Sequence, residues 1–518
     1  MKIIGKGLSL LLAVLMAFSL LPGAAFAQGS PWYAQAMEWA ETKALVIEDA
    51  VPTSPVTRSQ AIDLVQNAVE LDADVLLWPQ KEDAPSQALV TRAQMAALLY
   101  RCVQQLGGGL VPGDAPALNF SDADAVPEEA AEAFAYLTER HIVNGIAGTL
   151  APQKVCTLAE AVAMVYRYAG DRSVLCTVGG ISRHGNVYLD LSPDAFGAAG
   201  FEPGDRVTVT VGDAEYTMPV GTGYSDVNPG EMVLVVKADE ISLCVNLRSF
   251  AGQAGLDDAS VGTPVTISMA GKAAYLRQYQ ARKLIYTDAR EDYPSDEAFC
   301  NFRPVNMGRL GTNILYRAAS AVDNGRGRAA LCDALYARAG IRTVVNLSDS
   351  GEGIESMLAA EGFASPYYKS LYEAGDVITS GTLGVDFTAE SFRHMLADDL
   401  RAMSAHEGPY LIHCLEGKDR TGFAVMLLEA LMGASYEEML DDYMLSFVNY
   451  YHLEKDSSQY TALLQSNARY LFRTFAGLED ASLPAEADYE QAAVQYLTDS
   501  GMTETEIAAL RACLAGDR

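Results

Sequence analysis

His413-Cys414-Leu415-Glu416-Gly417-Lys418-Asp419-Arg420-Thr421-Gly422 follows the apolar run Pro409-Tyr-Leu-Ile412 and opens an apolar stretch of helical periodicity, Thr421 to Met432. A buried strand, a glycine-bearing loop and a helix in that order make an α/β unit. The spacing Cys414-x5-Arg420 lets the loop close round a phosphate dianion. Successive backbone N–H groups then face the anion, and the positive end of the following helix points at the same spot. The same field stabilises negative charge on Cys414, and the thiolate is the form of cysteine that attacks. Arg420 offers a planar fork to two phosphoryl oxygens, most effective as charge spreads in the transition state. Gly417 and Gly422 remove side chains where backbone must approach a ligand. Thr421 can donate to the sulfur, and His413 supports the loop through its ring. Cys-x5-Arg alone recurs by chance. A strand ending in His-Cys, then Gly-Lys-Asp-Arg-Thr-Gly and an apolar helix, separates this loop from a structural cysteine beside a charged turn.

Working outward, Ile341-Arg-Thr-Val-Val-Asn-Leu347 reads as a second buried parallel strand and Ala329 to Ala339 as a helix against it. With Asn301-Phe-Arg-Pro304, Leu315-Tyr-Arg-Ala318, Asp488-Tyr-Glu490 and Leu497-x3-Gly501, residues 297 to 516 resemble the bacterial tyrosine phosphatases that carry a His-Cys-x-x-Gly-Lys-Asp-Arg-Thr-Gly loop. Where this chain has Asn346-Leu-Ser-Asp349, relatives usually have Asp-Leu-Arg. The resemblance implies hydrolysis of a phosphomonoester through a cysteinyl-phosphate, with no metal and no cofactor. Cys414 is then the nucleophile and Arg420 the phosphate-binding group. Leu415, Glu416, Gly417, Lys418, Thr421 and Gly422 complete the phosphate cradle. Members act on phosphotyrosine and, in several cases, on phosphoserine or phosphoinositides. The two-step reaction wants a carboxyl that protonates the leaving oxygen; Asp419 is the economical choice, with Asp376 and Asp386 as alternatives. Lys418 either binds a second phosphate or is solvated. The segment Tyr443 to Tyr470 is either a helical lid over the site or core.

At the other end, Met-Lys-Ile-Ile-Gly-Lys precedes an apolar stretch from Leu8 to Leu21 and Pro22-Gly-Ala-Ala-Phe-Ala27. This is the pattern of a secretory signal cleaved after Ala27, and the apolar stretch is short for a membrane span of roughly 20 residues. Val56-Thr-Arg-Ser-Gln60, Val90-Thr-Arg-Ala-Gln94 and Cys156-Thr-Leu-Ala-Glu160 each open an apolar helix with a Thr N-cap and a capping box. With the aromatic starts and Ile142-Val-Asn-Gly145, residues 31–170 resemble S-layer homology repeats. Such repeats hold exported bacterial proteins to cell-wall polymers through the Arg of Thr-Arg; Arg58 and Arg92 match it, and Leu158 stands in the third copy. A helical spacer with good caps is the plainer alternative.

Residues 174–270 change texture, to short alternating runs such as Arg206-Val-Thr-Val-Thr-Val211 and Met232-Val-Leu-Val-Val-Lys237 punctuated by glycine. These are the strands of a small all-β barrel or sandwich. Phe201-Glu-Pro-Gly-Asp205, Tyr224-Ser-Asp226, Asn228-Pro-Gly-Glu231 and Asn246-Leu-Arg-Ser249 resemble the C-terminal barrel of the S-adenosylmethionine hydroxide adenosyltransferases, which implies the fold alone. A charged segment, Tyr275 to Arg290, reads as a helical linker.

The chain has 518 residues, too many for one core, and its 67 acidic against 37 basic residues give a net charge of -30. That charge repels nucleic acid, and no basic run offsets it. Eight cysteines, scattered without short paired spacings, form no Cys-x-x-Cys metal motif. The expected multidomain architecture is thus a signal peptide over 1–27, S-layer homology-like α-helical repeats over 31–170, a small all-β barrel over 174–270, a linker over 271–296 and an α/β cysteine-phosphatase domain over 297–518. The expected function is a secreted, cell-wall-associated phosphatase of protein-tyrosine or dual-specificity type, with a phosphorylated protein as substrate and a wall polymer as partner. The alternatives are an inositol polyphosphate or phosphoinositide phosphatase, and a non-catalytic surface adhesion or scaffold protein.

Overall fold

The computed structural model describes residues 31–46, 50–69, 71, 77, 86–110, 116–455, 457–477 and 487–517. The signal peptide expected over 1–27 lies outside them. The chain divides into two compact units, 1–171 and 172–518. No helix among the described residues is long and apolar enough to cross a membrane.

The first unit contains the helices Ala34–Thr42, Arg58–Ala68, Arg92–Gln105, Glu128–Glu139 and Leu158–Ala169. Three of them start at the expected capping boxes. Thr57, Thr91 and Thr157 each accept the amide three residues on, and the side chains of Gln60, Gln94 and Glu160 accept the caps' own amides. Single bridges, Pro55 to Thr157, Thr57 to Leu89 and Thr91 to Val155, tie the three starts together. Their apolar faces then share one core that includes Trp39, Leu64, Leu98, Phe134 and Val162. Arg92 is buried in it: its guanidinium donates to the carbonyls of Leu150 (2.9 Å) and Asn144 (3.2 Å) and pairs with Glu160 (3.4 Å).

The second unit begins with a closed barrel of seven strands: β1 Ser173–Ile181, β2 Val187–Leu189, β3 Arg206–Val211, β4 Ala214–Gly221, β5 Met232–Val236, β6 Ile241–Val245 and β7 Pro264–Gly271, in the order β1-β2-β6-β5-β4-β3-β7. In β3, Val207, Val209 and Val211 point into the core and Arg206 points out, the period of two that marked it in the sequence. The strands β1 and β4 were hidden from that pattern, since β1 holds Gly179-Gly180 at an irregular step in its register and β4 holds Pro219. The linker differs from expectation. Between Tyr275 and Arg290 the one α-helix is Leu276–Ala281, and a 3-10 turn follows at Arg290–Asp292. Beyond the α-helix, side-chain contacts hold the backbone instead: Arg282 donates to Asn228 (2.7 Å), Lys283 pairs with Asp226 (2.5 Å) and Tyr293 donates to the carbonyl of Thr287 (2.7 Å).

A five-stranded sheet follows, β8 Arg303–Val305, β9 Leu315–Ala318, β10 Thr343–Asn346, β11 Val377–Ile378 and β12 Tyr410–His413, in the order β11-β10-β12-β9-β8. All pairs are parallel except β8 with β9. The central strand β12 is buried along its length. It feeds the helix Asp419–Leu431, whose residues from Thr421 on are buried all round. Such a helix belongs in the middle of a domain. Around it pack Tyr443, Phe447, Phe472 and Tyr496. The tyrosine-rich segment is built from the helices Tyr436–Tyr451, Ser458–Leu463 and Arg469–Ala476, and its Tyr443, Tyr450, Tyr460 and Tyr470 are buried. These four side chains are core.

Candidate active site

Open α/β sheets offer ligands the crevice beyond the carboxyl ends of their strands. Here β12 ends at His413, level with Asn346 of β10 and Ala318 of β9. The loop from Cys414 to Lys418 leaves from that point, and its conformation follows from where its carbonyls go. The carbonyl of Leu415 accepts the amide of Ser320 (3.1 Å). That of Glu416 accepts the Tyr450 hydroxyl (2.6 Å) and Asn301 Nδ2 (3.3 Å). The Gly417 carbonyl accepts Arg317 (2.8 Å) and Asn301 Nδ2 (3.0 Å). Lys418 completes the set, its carbonyl accepting Arg317 (3.4 Å) as well as the amide of Gly422 (2.8 Å). Four consecutive carbonyls are held from outside, and among the described residues the amides of 415–418 donate to nothing. Backbone N–H groups left without partners are rare and mark a place for an acceptor.

The outer supports form one buried network. Arg317, fully buried in β9, pairs with Asp442; Arg303 Nε binds the same carboxylate at 2.6 Å. Ser446, one helical turn on, accepts from Asn301 (3.1 Å) and Arg303 (3.1 Å). Burial alone pushes the Asp442 carboxyl up, but Arg303 and Arg317 outweigh it and hold the group below the usual carboxylate range. Gly417 sits at φ +66°, and a Cβ there lies 2.1 Å from the carbonyl oxygen of Ala318. A Cβ on Gly422 lies 2.6 Å from the Tyr443 ring.

Cys414 is buried, with 3 % of its surface exposed. Arg420, at the second position of the helix, donates to the carbonyls of Leu347 (3.4 Å) and Leu383 (3.3 Å), which fix it from the β10 and β11 sides. Asn346 shapes the first of these loops: its Oδ1 accepts the amides of Ser348 (2.9 Å) and Asp349 (3.1 Å), and its Nδ2 donates to Tyr368 (3.0 Å). Thr421 Oγ1 is buried and has no partner among the described residues. His413 is also buried, its Nδ1 3.2 Å from the carbonyl oxygen of Cys414. Burial draws its pKa down to about 4, against the pull of Asp349, so the ring is neutral near pH 7.

The carboxylates separate by position. Asp419 opens the helix beside Arg420, where its charge favours the helix N-terminus. Asp376 immediately precedes β11, whose Val377 pairs with Val344. It is therefore level with Thr343 and Tyr410, three residues short of the loop end of β12. At roughly 3.3 Å per residue that is on the order of 10 Å down the sheet, too far for proton transfer. Asp386 lies on the loop side but is engaged by Arg248 of the barrel at 3.2 Å, and Thr388 of its own loop donates to it at 2.6 Å. Burial raises this carboxyl, while Thr388 and Arg248 prevail and keep it low, the wrong direction for an acid. The loop carrying Asp386 is anchored by Phe387, stacked on Phe423 of the central helix at 4.5 Å.

Lys418 is 8 % exposed and is neither solvated nor unpaired. Its ammonium lies 3.0 Å from Glu416, 3.1 Å from the Tyr451 hydroxyl and 3.8 Å from Asp419. Glu416 in turn accepts the hydroxyl of Tyr286 from the linker. The sequence motifs named Asn301, Arg303 and Arg317 without roles, and missed Asp442, Ser446 and Tyr286. An arginine in the otherwise apolar strand Leu315-Tyr-Arg-Ala318 was the available signal, since a charge is rarely buried there without a partner.

Residues 301–516 match the model of the tyrosine phosphatase family, and residues 119–162 match that of the S-layer homology domain. No curated protein matches the chain. Among solved structures, an uncharacterized conserved protein from Thermotoga maritima is 21% identical over 22% of this chain and 51% of its own, with a TM-score of 0.17. The chain spans about half the length of that protein, and at such a score the likeness carries no weight for fold or function.

Proposed function

Because residues 301–516 form a tyrosine phosphatase family domain, we propose that the thiolate of Cys414 attacks the phosphorus of a phosphomonoester and displaces the ester oxygen as an alcohol or phenol. Asp419 gives that oxygen its proton. Water then attacks the cysteinyl-phosphate, returning a proton to Asp419 and releasing inorganic phosphate and the thiolate. Three phosphoryl oxygens sit against the unpartnered amides of 415–418, with Arg420 bidentate on two of them. Thr421, whose buried hydroxyl lacks a partner, donates to the departing sulfur. The observation that carries this reading is the row of four carbonyls held from outside, which leaves the loop's donors for an anion. The substrate is a phosphorylated protein, with tyrosine or dual specificity.

Phosphate release from an aryl phosphate tests it: wild type turns over, Cys414→Ser does not, and equal rates in the two reject the mechanism.

The domain boundaries proposed are 31–170, 174–270 and 297–518, with the protein exported after loss of residues 1–27 and held at the cell wall by S-layer homology-like repeats. Within the first unit, a cavity of about 510 Å³ lined by Trp32, Tyr33, Arg92, Lys154, Glu160 and Arg167 offers aromatic rings and the half-exposed Lys154, paired with Glu160, to a wall polymer. Co-sedimentation with purified walls checks this. Binding that survives Trp32→Ala with Lys154→Ala speaks against the cavity, and a mature N-terminus other than Gln28 speaks against the cleavage site.

A further inference from the structure

The loop contains two cations and two carboxylates between Cys414 and Arg420, namely Lys418 and Arg420 against Glu416 and Asp419. Arg420 is committed to the reacting phosphate, so a substrate with a second phosphate needs Lys418. The side chain of Lys418, however, leaves the loop on the carbonyl side, away from the free amides. Its ammonium lies 5.7 Å from the ring centre of Phe447, 6.0 Å from that of Tyr450 and 5.4 Å from that of Tyr451. All three rings belong to the helix Tyr436–Tyr451, which also carries Asp442 and Ser446, the groups that hold the loop from outside.

Glu416 keeps the ammonium there. Its carboxylate is 3.0 Å from Lys418, accepts the Tyr286 hydroxyl and lies 3.8 Å from Arg326. Tyr286 is wedged against Tyr450 and Tyr451, with ring centres at 4.8 and 5.8 Å. Burial opposes charge on both members of the pair, yet Glu416 stays low, mainly through Lys418, and Lys418 stays high, through Asp419 and Glu416. The pair is ionised and mutually neutralised.

We propose that Tyr286 and Glu416 are specificity determinants: by sequestering Lys418 they restrict the Cys414 site to esters bearing a single phosphate and disfavour polyphosphorylated inositols. This rests on the phosphatase reading of the loop. It also gives the linker a part in substrate choice, since Tyr286 precedes the catalytic domain and reaches back to its loop.

The test is the ratio of kcat/KM for inositol hexakisphosphate to that for a phosphotyrosine peptide, measured on the full chain. The double variant Glu416→Gln with Lys418→Met is expected to leave the ratio within about threefold of wild type, because it removes both members of a pair whose charges cancel. Glu416→Gln alone is expected to raise the ratio by about tenfold, the scale of one released charge near a second phosphate. A tenfold fall below wild type in the double variant shows that Lys418 already serves a second phosphate and overturns the proposal, and so does an unchanged ratio for Glu416→Gln. Each reading is a ratio of two substrates on one preparation, so a smaller folded fraction cancels from it. Cys414→Ser, run alongside, separates the two levels: residual turnover there rejects the phosphatase reading itself, whereas its loss with the wrong ratios rejects only the role of Tyr286 and Glu416.

Discussion

Replacing Gly417 by Ala puts the account of the loop under direct strain. The residue sits at φ +66°, where an L side chain costs about 1 kcal/mol. The larger effect is steric: the new Cβ lies 2.1 Å from the Ala318 carbonyl oxygen and 2.8 Å from the Ala319 nitrogen, where ordinary contact begins near 3.4 Å. The β9 strand is fixed by its pairing to β12, so the loop has to retreat by more than about 1 Å. The carbonyl held by Arg317 and Asn301 moves with it, and the amides of Gly417 and Lys418 leave the positions in which the proposed mechanism has them bind phosphate. A displacement of about 1 Å is enough to cost on the order of 100-fold in rate, or about 2.7 kcal/mol of transition-state stabilisation. The assay is kcat/KM for an aryl phosphate, with a thermal melt of each variant. Gly340→Ala is the control, with the same left-handed backbone (φ +65°) and open space around its Cβ. If Gly417→Ala stays within threefold of wild type at an unchanged Tm, the amide cradle is not what binds phosphate.

Three further outcomes follow from the same structure. Asp419→Asn should slow hydrolysis of a phenyl phosphate with a poor leaving group by about 100-fold or more, and that of p-nitrophenyl phosphate far less, because only the former needs a proton; equal losses assign Asp419 to orienting Arg420. Arg248→Ala releases the Asp386 loop from the barrel, and since the pair is partly exposed the expected loss of kcat/KM is modest, roughly twofold to fivefold, with Arg248→Lys partly restoring it. Asp399 is buried against Ser380 at 2.8 Å, and burial raises its pKa to about 7 from 3.8. The native state therefore holds the extra proton between those values, and stability falls as pH rises through that window. Asp399→Asn should raise Tm at pH 8 and flatten its fall between pH 5 and 8, whereas a parallel shift at all pH values contradicts the assignment.

What the sequence disclosed, and what it hid, divides along physical lines. Local signals were legible. The capping boxes at Thr57, Thr91 and Thr157 need only residues three apart, and the alternation in Arg206–Val211 needs only one strand. The loop around Cys414 could be read for the same reason, since its spacing, glycines and flanking strand and helix are contiguous. Strands broken by Gly179-Gly180 or by Pro219 escaped, because closure of the barrel compensates there for weak local preference. The support network escaped for a different reason: Asn301, Arg317 and the helical pair Asp442 and Ser446 come from three places in the chain and meet only in the fold. Lys418 shows how far this matters. Its neighbours in sequence suggested a cation facing phosphate, yet Tyr286 and Tyr451, distant in sequence, decide where its charge sits.

The central claim is that Cys414 carries the phosphoryl group during turnover, and it is tested most directly by acid-quenching the enzyme in mid-reaction with an aryl phosphate and mapping the modified residue by mass spectrometry. The account predicts one phosphoryl group on the peptide containing Cys414, formed in wild type, accumulating in Asp419→Asn if water activation is slowed, and absent from Cys414→Ser. A phosphoryl group on another residue, or steady turnover in Cys414→Ser, contradicts it.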